Sequence, residues 1–183
     1  MDALTKPGDT VGNLTLRDVD GEPVALDDLL EPPLAVPLVR DYGCMPCRDF
    51  LIQLDAARPA LEAAGVGVVG VGGAADYQAR HLMDHGVGFL LLLDPDHALY
   101  EALDVRKIHW WMLLWPRTWW NYLRAAGRAR QGRITAHPLQ APGFVILDSD
   151  RTVRFLYRGR TLDGYPPITD IVAAATGLGR TTE

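Results

Sequence analysis

Three short apolar runs, at residues 34–40, 66–71 and 89–93, alternate with stretches of helical periodicity, and this alternation limits the architecture more than any other feature of the chain. Each run is bounded by turn residues and is too short for a helix, as expected of a strand buried on both faces. Between the first two, Phe50, Leu51, Leu54, Ala57, Leu61 and Ala64 recur at helical spacing over residues 45–64, and Gly65 stands where a helix C-cap would. A second helix is expected at 75–85, stopped by Gly86, and a short one at 97–103, capped from the Asp94-Pro95-Asp96 turn. Pro37 removes one ladder hydrogen bond from the first run, so a bulge or register break is expected there.

Residues 1–33 read as a hairpin-like extension turning at Asp20-Gly21, with a helical turn at 26–30. After an aromatic and basic insertion at 105–139, residues 143–147 and 152–158 form a hairpin around Asp148-Ser149-Asp150-Arg151, and 167–176 close the chain as a helix. The result is an α/β fold: a mixed central sheet flanked by helices, in one domain spanning 1–183.

Composition agrees with a single globular core. Of the 183 residues, 48% are hydrophobic and 22% charged. A formal charge of -5 argues against nucleic acid as the main partner, because phosphate binding needs a basic surface. No apolar stretch nears the roughly 20 residues that span a bilayer. The N-terminus lacks the basic start and apolar core of a secretory signal, so a cytoplasmic location is expected.

The chain has two cysteines, Cys44 and Cys47, which close too small a loop to staple a fold. Their role should be chemical. In "YGCMPCRDF", Cys44 stands at the junction of a buried strand and the first helix, where unpaired backbone N–H groups and the helix dipole favour a thiolate. Pro46 restricts the intervening backbone and helps to hold Cys47 within reach of an intermediate on Cys44. Arg40 and Arg48 flank the motif as candidates to stabilise negative charge, while Asp41 and Asp49 oppose them and leave the local sign open. The competing readings are an inert pair or a metal site. Zinc wants four ligands, and without a second such motif the others would come from His81, His85, His97, His109 or His137.

On "PGDTVGNLTLRDVDGEPVALDDLL", "VRDYGCMPCRDFLIQL" and "QAPGFVILDSDRTVRFLYRGRTLDGYPPITDIV", the chain resembles the peroxiredoxin-like branch of the alkyl hydroperoxide reductase and thiol-specific antioxidant family, within the thioredoxin-fold superfamily. The resemblance implies a thioredoxin-like fold in which Cys44 is the attacking residue and Cys47 resolves the intermediate. Counting back by the family's "PxxxTxxC" spacing reaches Pro37 and Asp41, so an aspartate stands in place of the threonine and is the expected substrate-side residue there. Leu38 stands where thioredoxin's buried acid would fall. Pro142 matches the cis-proline that faces the cysteines in this fold, so a cis bond before it and a place beside the substrate are expected.

The insertion carries Trp110, Trp111, Trp115, Trp119 and Trp120, followed by an arginine-rich stretch that can form an amphipathic helix after Pro116. Its tryptophans either complete the core, line a lid over an apolar substrate near Cys44, with Trp111 and Trp115 as substrate-binding candidates, or form a partner surface such as a homodimer contact. Contact with a membrane surface ranks last. Gly70-Val71-Gly72-Gly73 lacks the spacing of a nucleotide loop and reads as a tight turn.

The reading is therefore a thiol-dependent oxidoreductase of peroxiredoxin-like type. Its expected partners are a small-molecule peroxide or a protein disulfide, with an external dithiol as reductant, and neither a cofactor nor a metal is expected. The alternatives are a disulfide reductase, a specialised reductase of an apolar peroxide or endoperoxide, and a redox-responsive interaction module.

Overall fold

The computed structural model describes residues 4–73, 76–107, 139–161 and 164–177. Strands β1 (Thr15–Arg17) and β2 (Pro23–Ala25) form the N-terminal hairpin, followed by a 3-10 turn at Leu26–Leu29. The Asp18 carboxylate holds the hairpin turn by accepting the N–H groups of Asp20 and Glu22, and Gly21 supplies the positive φ of 88°. The three apolar runs become β3 (Leu34–Leu38), β4 (Gly67–Gly72) and β5 (Leu90–Leu93), which pair in parallel, while β6 (Gly143–Leu147) and β7 (Val153–Arg158) continue antiparallel from β3. The sheet runs in the order β2-β1-β5-β4-β3-β6-β7. It is mixed, as the sequence order demands.

Alternation along the central strands divides the interior in two. Ala35, Val39, Phe144 and Ile146 join one core with Leu51, Leu54 and Leu61 of α1 (Met45–Ala63), Ala79 and Leu82 of α2 (Asp76–His85), and Ile171 and Ala174 of α4 (Ile168–Ala175). Leu34, Val36, Leu38, Val145 and Leu147 face the other, with Leu99 and Tyr100 of α3 (Ala98–Ala102) and Leu16, Leu26 and Leu30 of the extension. Both faces of the sheet are covered, which is why its central strands lack polar alternation.

The helix ends follow local chemistry. Gly65, at φ 73°, lets its N–H reach Glu62 O and that of Val66 reach Leu61 O, the paired bonds of a Schellman cap that end α1. The Asp94 carboxylate accepts the N–H groups of Ala98 and Leu99 at 3.0 and 2.9 Å, capping α3 from the preceding turn.

Two local expectations are corrected. Pro37 causes no bulge: β3 keeps one register with β6 from Leu34 through Leu38, and the same offset to β4 on either side of the proline. Val39 N–H donates to Val71 O, so the donor missing two residues earlier falls on the β4 side and costs one rung without displacing the strand. The register irregularity lies instead between β6 and β7, at Ile146/Leu147. Nor is the bond before Pro142 cis: the cis bond among the described residues is Glu31–Pro32. Ala141 N–H donates to Arg106 O and Pro142 O accepts from Gly159 N–H, which ties the chain at the start of β6 to its neighbours.

Trp110, Trp111, Trp115, Trp119 and Trp120, with the expected helix after Pro116, lie outside the described residues. At the stem of this insertion Lys107 and Gln140 form an antiparallel bridge. No described helix is long and apolar enough to cross a membrane.

Candidate active site

The turn from β3 into α1 is built from its own side chains and backbone. Asp41, buried, turns its carboxylate onto Gly43 N–H at 2.7 Å, and Asp41 O accepts Cys44 N–H at 3.0 Å. Tyr42 anchors the turn to the sheet: its hydroxyl donates to Leu92 O at 2.6 Å, and its ring lies over Gly72, where a Cβ would come within 2.7 Å of it. Cys44 then occupies the N-cap of α1 with extended backbone, φ -74° and ψ 123°, and its side chain makes no cap hydrogen bond. Its carbonyl accepts Arg48 N–H at 2.9 Å, so the helix starts on the backbone of Cys44 while the sulfur remains available for chemistry.

Cys47 lies one turn on, and the two cysteines approach to 3.3 Å without a bond between them. Both are fully buried. Arg40, also buried, places Nη2 2.7 Å from Cys44 Sγ, the distance of a charge-assisted hydrogen bond. Burial alone would push the Cys44 thiol up; a hydrogen bond from Cys47 and the Arg40 charge reverse this and bring it down to about 6. Cys47 moves oppositely, held well above the ordinary thiol value by burial and then by its contact with Cys44. At neutral pH the first thiol is ionised and the second keeps its proton, so the pair is polarised into a nucleophile and a donor beside it.

Arg40, Asp41, Cys44, Cys47 and Arg48 therefore come together around one turn. Arg48 is half-buried and burial lowers its guanidinium from the ordinary value. Asp49 is buried on α1 and accepts Gln53 Nε2 at 2.9 Å. The Asp41 carboxylate thus meets Gly43 N–H and the Asp49 carboxylate meets Gln53, and the cation at the sulfur is Arg40. Pro142 packs against Gly159, where an added Cβ would lie 2.8 Å from its ring, and Trp111 and Trp115 fall outside the described residues.

The structure adds aromatic residues that sequence spacing did not single out. Besides Tyr42, Tyr100 donates its hydroxyl to Val39 O at 2.5 Å, bracing the strand end that carries Arg40. Tyr165 stacks on Phe50 of α1, ring centroids 4.0 Å apart and planes 9° from parallel. The histidines give no comparable cluster: His81 and His85 pack ring to ring at 4.6 Å on the exposed side of α2, and no group of three metal-ligating side chains assembles among the described residues. A cavity of about 450 Å³ between His97, Tyr100, Glu101, Arg106, Lys107 and Gln140 is lined by neither cysteine.

Known proteins place this arrangement in context. The chain is 26% identical over 178 residues to the prostamide/prostaglandin F synthase of Salmo salar, covering 90% of this chain and 85% of that protein. It is 29% identical over 99 residues to the chloroplastic thioredoxin-like protein AAED1 of Arabidopsis thaliana; that match covers 52% of this chain and spans only 40% of the relative. Among solved structures, the peroxidoxin BcpB of Mycobacterium tuberculosis superposes with a TM-score of 0.67 at 18% identity, covering 96% of this chain and 99% of that one. A peroxiredoxin-like protein from Aquifex aeolicus gives 0.68 at 12% identity, covering 97% and 90%. These structural likenesses are likenesses of fold. The AhpC/TSA family model matches residues 7–156, and with that match over most of its length the chain belongs to the AhpC/TSA family.

Proposed function

We propose that the protein is a thiol-dependent peroxide reductase in which Cys44 attacks and Cys47 resolves. The observation that carries this reading is the 2.7 Å contact between Arg40 Nη2 and Cys44 Sγ in a buried site, which keeps a nucleophilic thiolate at neutral pH. The Cys44 thiolate attacks the terminal oxygen of a hydroperoxide; the O–O bond breaks, the sulfur becomes a sulfenic acid, and the departing alkoxide takes a proton to leave as an alcohol. Cys47 then displaces hydroxide from that sulfur, forming a disulfide that an external dithiol reduces by exchange. Arg40 also stands where it can steady charge on the leaving oxygen. Asp41, which has no hydroxyl to offer a peroxide, serves here by shaping the turn. A reducing compartment such as the cytoplasm supplies the dithiol this cycle needs.

A second reading gives the same thiol pair an apolar peroxide or endoperoxide as substrate. The likeness to a prostamide/prostaglandin F synthase over nearly the whole chain favours it. Stopped-flow oxidation of the reduced protein by hydrogen peroxide and by a lipid hydroperoxide, in wild type, Cys44→Ser and Cys47→Ser, decides between these readings. Fast oxidation that requires Cys44, with a sulfenic acid that persists when Cys47 is absent, is the expected result. A strong preference for the lipid hydroperoxide selects the second reading. Slow oxidation indifferent to the peroxide would sink both and leave disulfide exchange or redox-sensitive binding.

A further inference from the structure

The resolving step asks Cys47 to give up a proton in a place that resists it. The residue is fully buried, and burial, the foremost cause that holds its thiol well above the ordinary value in the reduced pair, persists when Cys44 has become a neutral sulfenic acid. Arg40 acts in the opposite sense, and after it the group that lowers the Cys47 thiol is Tyr165.

Tyr165 stands in that place. Phe50 follows Cys47 by three residues, so their side chains share a face of α1, and the 4.0 Å stack of Tyr165 on Phe50 lays the phenol along that face. The hydroxyl oxygen is buried and has no completed hydrogen bond among the described residues. A buried hydroxyl in that condition is costly and calls for an explanation. After burial, the group that acts most strongly on the phenol is Cys47, with Cys44 behind it, and together they keep it well above its ordinary value and therefore protonated. A neutral phenol beside a sulfur that must become an anion is a donor awaiting its acceptor.

We propose that Tyr165 donates its hydroxyl hydrogen bond to the Cys47 sulfur as that sulfur becomes a thiolate, and so sets the rate of the resolving step. The inference rests on the peroxide-reductase reading above. In the step itself the Cys47 sulfur bonds to the Cys44 sulfur, the S–O bond of the sulfenic acid breaks, and the proton given up by Cys47 leaves with the hydroxide as water. Tyr165 keeps its own proton throughout. The residue lies beyond positions 7–156, the part of the chain that the family model matches, so it is a feature of this chain's C-terminal segment.

Tyr165→Phe keeps the ring on Phe50 and removes one oxygen. Reduced wild type and variant are mixed with cumene hydroperoxide; Cys44 oxidation is followed by stopped flow and the sulfenic acid by trapping. Losing a hydrogen bond to a charged group lowers the thiolate fraction, partly offset by the greater nucleophilicity of a more basic thiolate, so the sulfenic acid should last about three- to tenfold longer. The pH at which resolution levels off should rise by about one unit, while Cys44 oxidation is unchanged. In a Cys47→Ser background the substitution should leave the sulfenic acid lifetime unaltered. Equal lifetimes and equal pH profiles would overturn the assignment, as would an equal slowing of both steps, which marks a packing role. Failure of wild-type Cys44 to react at all would bring down the peroxide reading, and this inference with it.

Discussion

Arg40→Met takes the guanidinium from beside Cys44 and leaves a side chain of similar reach in the same buried space. The Cys44 thiol, now at about 6, should rise by about one to three units, read from the ultraviolet absorbance of the thiolate against pH. The same shift makes folding stability depend on pH. The folded value lies below the unfolded thiol value of about 8.5, so between the two the unfolded chain binds more protons and stability rises with pH. The contribution of Cys44 is fully present above the unfolded value and is lost as pH falls through about 6. Denaturant melts of the reduced protein should therefore show a decline from pH 9 to pH 5 on the order of a few kcal/mol that Cys44→Ser abolishes. Spacing alone marked Cys44 and Cys47, with Arg40 and Arg48 as flanking cations, and it is Arg40 whose guanidinium lies against the Cys44 sulfur. It left the sign of the local charge open, because side-chain direction decides it: Asp41 turns to Gly43 N–H and Asp49 to Gln53. Tyr42 and Tyr165 carry no local signal at all. Their partners are strands β4 and β5 in one case and α1 in the other, far away along the chain.

At the scale of elements, two glycines separate stability from site geometry. Gly65 ends α1 with a positive φ of 73° and open space around it, so Gly65→Ala should cost about 1 kcal/mol in a thermal melt and leave Cys44 reactivity as it was. Gly72 has ordinary backbone, but a Cβ there would fall 2.7 Å from the Tyr42 ring and 2.8 Å from Val39. Gly72→Ala should cost about 1–3 kcal/mol and, by pushing Tyr42 off Leu92 O, also slow the alkylation of Cys44. A Gly72→Ala protein with wild-type alkylation rates would show that the Tyr42 anchor does not position the cysteine turn. The elements themselves were legible because their periods and stop signals agreed: the helix to Gly65, the hairpin at Gly21 and the three buried runs all stand within a few residues of expectation. What failed were inferences from single prolines. Pro37 spends its missing donor on one rung of an otherwise intact ladder, and the start of β6 is held by bonds to Arg106 and Gly159 that no local pattern reveals.

For the molecule as a whole, folding and redox chemistry form one thermodynamic cycle. An interaction that favours the reduced folded state over the oxidised one makes the disulfide a stronger oxidant, by the same free energy. Here the two covered faces of the sheet leave the cysteine pair buried, and the buried Arg40 supplies the charge that favours the thiolate. At pH 7, a thiol at about 6 compared with an unfolded value near 8.5 stabilises the reduced state by about 1.4 kcal/mol, equivalent to about 30 mV for a two-electron couple. Equilibration with glutathione should therefore find Arg40→Met more reducing than wild type by about 20–30 mV, with the gap narrowing below pH 6 as the wild-type thiolate is protonated. An unchanged potential alongside a raised Cys44 thiol would mean that the oxidised form gives up as much through the loss of Arg40 as the reduced form does. The cation would then be a structural part of the β3–α1 turn in both redox states, and the source of the thiolate's low value would have to be sought in Cys47 and the start of α1.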